Sequence, residues 1–405
     1  MIAKIAWRNI WRSKQRSLIV IIALALGIWA GIFLMGFSAG MNNQRVRDAL
    51  ESNIGHIQIH SPEFNNEPNT FNWLHDYQSY VLPLDSSSIV RGYSKRVILT
   101  GMVSSAKTAS GAKIAGIHPD DEMKASNIST KIIDGTWFED TRKNQIVIGR
   151  KLADKHNIKL KSKLVLSFQD EEGTILTGLF RVGGIFKSVN SKWDELNVFV
   201  RNEDLFRILE MTEPKYHELV VLTSDQDKAM NLTEQLKSFN DKDEVKSWRD
   251  VSPDLAFAND MMASYMYIFM GIIMLALLFG IVNNMLMAIL ERKRELGMLM
   301  AVGFNKKKLF SMILIETIFL GLVGTPIGIL LGSLTIEIFA AKGLDLSIVG
   351  QGLESFGMTT IIYPEIDPSY YGGISIMVFV TAVIASIYPA IKALKLNPVE
   401  AIRTI

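Results

Sequence analysis

Cysteine is absent from the 405-residue sequence, so the chain forms neither a disulfide nor a thiolate metal site. Its charges almost cancel, and a net charge of +2 is too small to indicate a nucleic-acid partner. The sequence also lacks a Walker A loop and the HExxH and GxSxG motifs of zinc proteases and serine hydrolases. We therefore expect a chain with no enzyme activity, no metal site and no cofactor of its own.

Charge is also missing from long apolar stretches. Met261–Leu290 contains no charged residue, and Leu309–Ala341 contains only Glu316 and Glu337. Leu18–Gly40 is longer than the apolar part of a signal peptide, and we expect it to remain as a membrane helix. About 20 apolar residues span a bilayer as a helix. The sequence therefore predicts four membrane helices, at residues 17–40, 261–290, 309–341 and 371–394.

The chain between the first two predicted membrane helices has a different composition. Residues 41–260 are rich in Ser, Asn, Asp, Lys and Pro, and their apolar runs are short. Strand patterns such as Gly55–His60, Val97–Leu99 and Leu164–Phe168 alternate with helix patterns. Asp170–Gly173, between two strand patterns, is typical of a hairpin turn. These features predict a mixed α/β domain, with one or two lobes.

Lysine and arginine are unevenly distributed among the polar segments. Residues 1–16 carry five of them and no acid, with tryptophans interleaved, which is typical of an amphipathic helix on a membrane surface. The segment 291–308, hereafter the basic segment, carries six, whereas the short loop 342–370 carries one. Positive residues favour the cytoplasmic side. We therefore expect both termini, including the tail 395–405, to be cytoplasmic, and the 41–260 domain and the short loop to lie outside the cytoplasm.

The basic segment also has helical periodicity. Its apolar residues recur at roughly helical spacing, and charged residues flank them. An amphipathic helix at a membrane face is a candidate docking element for a partner protein. The residues that carry this pattern are Arg292, Arg294, Glu295, Leu296, Leu299, Met300 and Gly303.

Three polar residues lie inside the predicted membrane helices at similar depth. Glu316 follows the basic segment, whereas Asn283 and Asn284 precede it. At 1.5 Å per residue all three lie roughly 11 to 12 Å from that segment. We hypothesise a hydrogen bond between Glu316 and one of the two asparagines, which would join two helices. An intramembrane relay or a substrate contact is the functional alternative.

The run Glu291–Gly297, ERKRELG, followed by Ala301-Val-Gly303, resembles the signature of the FtsX-like permease superfamily, which includes MacB-type and lipoprotein-releasing permeases. The stretches Arg8–Arg12 and Tyr388–Arg403 resemble the same superfamily. The resemblance implies four membrane helices and an extracytoplasmic α/β domain of the MacB-like periplasmic type. It also implies a coupling helix seated on a separate ABC ATPase, which binds the ATP and Mg²⁺. The implied coupling residues are Glu291, Arg292, Arg294, Glu295, Leu296, Gly297, Leu299, Ala301, Val302 and Gly303.

Within the superfamily, three further stretches resemble the lipoprotein-releasing group: Gly55–His60, Ala115–Asp120 and Ile146–Ala153. This implies a permease subunit that couples an ATPase dimer to the release of lipoproteins from the inner membrane toward the outer membrane. The implied partners are a second permease copy or paralogue, a lipoprotein substrate, membrane lipids and a periplasmic carrier. A MacB-like exporter that acts by mechanotransmission and an FtsX-like regulator of a cell-wall hydrolase are the alternatives.

A periplasmic hairpin contacts the carrier in lipoprotein-releasing permeases. The corresponding stretch here, Phe168–Phe180, contains only a short turn, so the resemblance is weaker at this point. The candidate carrier-contact hairpin consists of Asp170, Glu171, Glu172 and Gly173.

Overall fold

The computed structural model describes residues 2–64, 72–139 and 143–395 and divides into two units. The helical unit comprises Met1–Asn42, Asp260–Asp345 and Ile361–Ile405, and the sheet unit comprises Asn43–Asn259 and Leu346–Thr360. Of the predicted tail 395–405, all but Lys395 lies outside the described residues, as does the corresponding part of the Tyr388–Arg403 stretch.

The α-helices of the described residues are α1 (Ile2–Arg12), α2 (Lys14–Ala49), α3 (Gln78–Ser86), α4 (Pro119–Ala125), α5 (Arg150–His156), α6 (Ser191–Leu196), α7 (Asn202–Ile208), α8 (Gln226–Lys237), α9 (Trp248–Val251), α10 (Pro253–Glu291), α11 (Lys293–Ala301), α12 (Lys306–Lys342), α13 (Gly350–Ser355) and α14 (Ser369–Leu394). The strands are β1 (Ile57–His60), β2 (Val90–Ser104), β3 (Ala109–Ile117), β4 (Ile132–Gly135), β5 (Gln145–Gly149), β6 (Lys163–Gln169), β7 (Ile175–Phe186), β8 (Asn197–Arg201), β9 (Glu218–Thr223), β10 (Glu244–Ser247), β11 (Leu344–Asp345) and β12 (Ile361–Ile362).

By length and composition, four helical segments of the described residues can cross a membrane: α2 with its π-helical extension to Ile54, α10, α12 and α14. The first two continue well past the apolar stretches that predict them. Helix formation does not require apolar residues. Polar residues with good helix propensity, such as Gln44 and Arg45, therefore extend α2 past its apolar stretch. Pro326 lies inside α12, which continues on both sides of it.

Glycines set the closest helix contacts of the helical unit. Gly324, Gly328 and Gly332 are spaced by four residues along α12, and a Cβ on the last two would lie 2.7 Å from Ile28 and Ile32 of α2. Membrane helices associate through such close backbone packing, because lipid is as apolar as their side chains. This row of glycines was not predicted from the sequence.

Two glycines of α2 face α10 instead. A Cβ on Gly27 would lie 2.8 Å from Leu277, and one on Gly31 would lie 2.7 Å from Met270. Helix α2 therefore packs against α12 through its own isoleucines and against α10 through its own glycines. It is the element that both neighbouring helices share.

The sheet unit contains one mixed ten-stranded sheet in the order β10-β1-β9-β2-β3-β8-β5-β7-β4, with β6 paired to β2 and β7. The pairs β3–β8 and β5–β7 are parallel, and the other pairs are antiparallel. Three of its apolar cores define two lobes: cores around Ile146 and Leu166 and around Phe186 and Phe199 belong to the larger lobe, and a core around Ile57 and Leu219 belongs to the smaller one.

Strand β2 is shared by both lobes. Its first half, to Arg96, pairs with β9, and its second half, from Val97, pairs with β3. The sequence predicts only Val97–Leu99 as a strand, because glycine and charged residues fill the flanking positions and hide the apolar pattern. Long-range pairing in the sheet overrides that local signal.

A buried ion group lies where the two halves of β2 meet. Arg96 places its guanidinium 2.5 Å from Glu122 and 3.3 Å from Glu218, and it donates to the carbonyl of Asn53 at 2.7 Å. Burial alone would raise the pKa of Glu122, but the Arg96 guanidinium beside it outweighs burial and holds that pKa below its ordinary value. The charged form of Glu122 therefore stabilises the junction, and this contribution is lost as the pH falls through the lowered pKa.

Part of the short loop 342–370 belongs to the sheet unit. Helix α13 carries Glu354, whose carboxylate accepts from Lys187 at 2.8 Å and from the Ser191 hydroxyl at 3.4 Å. The sequence predicts this loop only as a connection, but its middle residues pack with the domain that precedes the second membrane helix.

Candidate functional site

Helix α11 occupies the first half of the basic segment and ends in a defined cap. Gly303 has a φ of +93°, the left-handed region that favours glycine. The amide of Phe304 donates to the Leu299 carbonyl at 2.9 Å, and the amide of Gly303 donates to the Met300 carbonyl at 3.1 Å. These two bonds form a Schellman cap. The Ala301-Val-Gly303 motif of the sequence therefore ends α11.

The next helix begins almost at once. The Asn305 side chain accepts from the Lys307 amide at 3.0 Å and caps the first turn of α12. Two caps in succession leave a short turn, and this turn fixes where α11 stops relative to α12.

Helix α11 has one buried side and one exposed side. Leu296 and Gly297 are buried against the bundle. On the other side Met298 and Leu299 are exposed by 47% and 38%, and Val302 at the end of the helix is exposed by 89%. Exposed apolar residues next to charged ones mark a candidate contact surface for a partner protein. We call Met298, Leu299 and Val302 the apolar tip.

Two ion pairs hold the end of α10 and the start of α11 from the N-terminal side. Arg16 of α2 pairs with Glu291, and Arg12 of α1 pairs with Glu295. The two arginines are four residues apart, and so are the two glutamates. Both pairs can therefore form together, because residues four apart lie about one helical turn from each other. This matching spacing is a signal that sequence reasoning missed.

A third ion pair reaches into the bundle. Arg292 donates from Nη1 to Glu316 at 3.1 Å and 3.4 Å, and its Nε lies 3.6 Å from Glu295. The hypothesis that Glu316 bonds Asn283 or Asn284 is therefore wrong. Helix α10 ends at Glu291, and the break lets the Arg292 side chain turn toward α12, where an ion pair prevails over an amide contact.

The N-terminal helix α1 is packed into the same end of the bundle. Ala6 and Ile10 are buried, and the Trp7 ring contacts Phe319 of α12 edge to face at 5.4 Å between centroids. The Asn9 amide lies 3.9 Å from the Met312 sulfur. Helix α1 therefore lies against α12 and, through Arg12, positions α11.

A second candidate site lies at the β6–β7 hairpin of the sheet unit. Asp170 accepts from the amides of Glu172 and Thr174 at 2.9 Å and 2.8 Å, and Gly173 has a φ of +80°. The four residues therefore form a tight turn. The Trp73 ring nitrogen donates to Glu171 at 2.5 Å, which fixes the tip.

This hairpin tip forms one wall of a cleft of about 330 Å³, which we call the acidic cleft. Five carboxylates and one lysine line it, together with a few apolar side chains. Its lining residues include Trp73, Asp170, Glu171, Glu172, Glu210, Met211, Glu213 and Lys215. The concentration of negative charge favours a positively charged segment of a partner.

The described residues contain no group of three or more His, Asp or Glu side chains that could hold a metal ion. Four helices that can span a membrane, a short helix held by ion pairs and a large mixed α/β domain together give the architecture of a membrane permease subunit.

Comparison with known families gives the same class. Residues 17–239 match the MacB-like periplasmic core domain, and residues 267–398 match the FtsX-like permease C-terminal region. The chain belongs to this FtsX- and MacB-like family of ABC transporter permeases. The predicted family and fold class are thereby confirmed.

Relatives of nearly full length belong to the same group. The chain is 24% identical to an uncharacterized ABC transporter permease of Methanocaldococcus jannaschii, over 98% of this chain and 96% of that protein. It is 20% identical to the lipoprotein-releasing system transmembrane protein LolE of Haemophilus influenzae, over 98% and 97% of the two chains. Over 30% of this chain and 16% of the relative, it is 32% identical to the macrolide export protein MacB of Hahella chejuensis.

Among solved structures, the periplasmic region of MacB from Actinobacillus actinomycetemcomitans matches at a TM-score of 0.36 and 14% identity. That match covers 52% of this chain and 95% of the other.

A double-mutant cycle checks the Arg292–Glu316 ion pair. Arg292→Gln and Glu316→Gln should each lower the thermal stability of the full chain in detergent. Because both groups are mostly buried, we expect a coupling free energy of about 0.5 to 3 kcal/mol. The matched control is Asn283→Leu with Arg292→Gln, for which we expect additive effects. A zero coupling for the first pair would show that the contact does not stabilise the bundle.

Proposed function

We propose that this chain couples ATP hydrolysis by a separate ABC ATPase dimer to the release of lipoproteins from the inner membrane toward the outer membrane. The observation that carries the coupling part is the apolar tip of α11. It is exposed on a helix whose opposite side is buried and whose start is held by three ion pairs, through Glu291, Arg292 and Glu295. Nucleotide and Mg²⁺ would be bound by the ATPase.

The bracing of α11 favours force transmission over passive docking. Glu295 of α11 pairs with α1, Arg292 at its start pairs with α12, and Glu291 just before it pairs with α2, so we expect a displacement of α11 to act on all three helices. Closure of the ATPase beneath it would therefore displace several membrane helices together. In this arrangement both termini and the basic segment face the cytoplasm and the sheet unit faces the periplasm, as the distribution of positive charge predicts.

The support for lipoproteins as the cargo comes from relatives of similar length. Proteins named as lipoprotein-releasing permeases align with 93% or more of this chain, whereas the MacB relatives named macrolide exporters align with about a third of it. A MacB-like exporter that acts by mechanotransmission is the second candidate function, favoured by the match of residues 17–239. An FtsX-like regulator is the third, favoured by the match of residues 267–398 to the FtsX-like permease C-terminal region.

The acidic cleft is the proposed contact for a periplasmic carrier or adaptor. The hairpin tip is fixed by Asp170 and Trp73, so it presents its carboxylates without a large ordering cost. A partner segment with lysine or arginine beside an apolar residue would complement it.

A second copy of this chain is the proposed neighbour in the membrane. One face of α10 is exposed along its whole membrane length and is apolar except for Asn283, and the described residues give the Asn283 side chain no partner. An unpaired amide in lipid is costly, and the same residue on a second copy would satisfy it. The exposed face comprises Tyr265, Ile268, Ile272, Leu275, Phe279, Gly280, Asn283, Met287 and Leu290.

Substitution of the apolar tip tests the coupling role. Val302→Asp places a charge on a residue that is already exposed, so the fold should persist while affinity for the ATPase falls about tenfold or more. The matched control is Ile348→Asp, at a fully exposed residue of the sheet unit. Co-purification and stimulated ATP hydrolysis are the measurements. Equal ATPase binding by both variants would contradict the docking assignment.

Cross-linking tests the α10 face. Because the chain has no cysteine, Gly280→Cys alone reports on self-contact in native membranes, and we expect a disulfide-linked dimer. Leu330→Cys, exposed on α12, is the control that should stay monomeric. Adding Asn283→Leu should weaken association by about 1 to 2 kcal/mol and reduce the dimer fraction. Comparable cross-linking at both cysteines would argue against this interface.

Affinity capture from native membranes tests the cargo. The expected result is a triacylated lipoprotein in the captured material, identified by mass spectrometry of proteins and lipids. The Val302→Asp variant, defective in coupling, should retain more of it than wild type does. Capture of an outer-membrane channel with its adaptor would replace this function by MacB-like export, and capture of a cell-wall hydrolase would replace it by regulation.

A further inference from the structure

One further cavity lies wholly within the sheet unit, and neither the coupling nor the cargo function uses it. It has a volume of about 250 Å³, and its walls are mainly apolar. Cavities for drug-sized ligands measure about 300 to 1,000 Å³, so this cavity suits a smaller molecule. We call it the Trp193 cavity. Its apolar lining residues include Ala49, Ile54, Val189, Trp193, Leu255 and Phe356.

Two opposite charges on the wall of the Trp193 cavity are available to a ligand. Arg45 of α2 and Asp254 in the first turn of α10 both line it. Within the part of the chain that the structure describes, neither side chain makes an ion pair or a hydrogen bond. The other charged residue of the lining, Asp48, is already paired with Lys131 at 3.1 Å. The cavity therefore offers one guanidinium and one carboxylate, and a ligand inside so small a space can reach both.

Aromatic rings supply much of the apolar wall. The Trp193 ring packs at 5.4 Å and 5.9 Å, between centroids, against two buried phenylalanines, so its position is fixed. Phe356 is exposed by 72% and has apolar surface left to bury against a ligand. The ion pair between Lys187 and Glu354 at 2.8 Å holds the segment that carries Phe356. The two rings favour a ligand with an apolar group beside its charges.

The loop before α6 gives the cavity a fixed frame. The Asn190 side chain accepts from two amides in the first turn of α6, at 3.1 Å and 3.2 Å, and so caps the helix that carries Trp193. The buried Asp194 carboxylate accepts from the Ser188 amide at 3.0 Å and 3.1 Å, which fixes the start of this loop. A preformed cavity loses little conformational entropy when a ligand binds.

We infer that the Trp193 cavity binds a small zwitterion with an apolar side chain, the class to which the apolar α-amino acids belong. Arg45 would hold the carboxylate, since a guanidinium matches it with two parallel hydrogen bonds. Asp254 would hold the ammonium group, and Trp193 and Phe356 would contact the side chain. A ligand with only one of the two charges leaves one charged group of the cavity without a partner, so it binds more weakly. The inference does not depend on the cargo or on the ATPase.

Calorimetric titration of the full-length chain in a nonionic detergent tests this inference. The probes are L-phenylalanine, phenethylamine, which lacks the carboxylate, and phenylpropionate, which lacks the ammonium group. All three carry the same aromatic ring, so differences between them report on the two charges. We expect wild type to bind L-phenylalanine at least about tenfold more tightly than either analogue.

Each charge variant should lose one preference and keep the other. Arg45→Gln should bind L-phenylalanine and phenethylamine about equally, because the carboxylate no longer gains a partner, but it should still prefer L-phenylalanine to phenylpropionate. Asp254→Asn should show the reverse pattern. Arg181→Gln and Asp120→Asn, at exposed residues of the sheet unit outside the cavity, are the matched controls and should keep both preferences.

Thermal unfolding separates a lost contact from a lost fold. Because neither side chain has a partner within the described residues, Arg45→Gln and Asp254→Asn should unfold at the wild-type temperature. Phe356→Ala, at an exposed ring, should also keep the fold and should weaken binding of all three probes by a similar factor. Absence of L-phenylalanine binding by wild type, or unchanged preferences in either charge variant, would overturn the inference.

Discussion

Ion pairs position α11 at its end of the helix bundle. Two of them join arginines four residues apart to glutamates that are also four residues apart. A nine-residue helix with two buried residues has too little apolar area to hold its own position. Arg12, Arg16 and Arg292 add contacts that packing does not provide, because each joins α11, or a residue within two positions of its start, to a different helix. The pairs with Arg12 and Arg16 are partly exposed and contribute little stability each, so their role is geometric.

Different interactions join the elements of the two units. In the helical unit, glycines on α12 and α2 let backbones approach, since no hydrophobic force acts between helices in lipid. In the sheet unit, apolar cores form on both sides of β2, and a buried Arg96 with two carboxylates lies at the junction. A buried charge group of this kind favours one arrangement of its elements, because any other leaves a charge unpaired.

Sequence patterns predicted those features that depend on local composition. Apolar length predicted four membrane helices, and charge with periodicity predicted a helix in the basic segment. The partner of Glu316 was not predictable in the same way, because it depends on the end of α10 at Glu291 and on how Arg292 turns there. The extent of β2 and the contact between Trp7 and Phe319 were missed for a related reason: both are decided by residues that are distant in the sequence.

Strand β1 follows directly after the first membrane helix, yet it pairs with β9 and β10, which come from the far end of the domain sequence. The first strand of the sheet to be synthesised therefore obtains its partners last. Such non-local pairing slows folding, because a long chain must be ordered before the contact forms. During biosynthesis β1 cannot complete its pairing until residue 247 has emerged, and a delay of this kind favours misfolding.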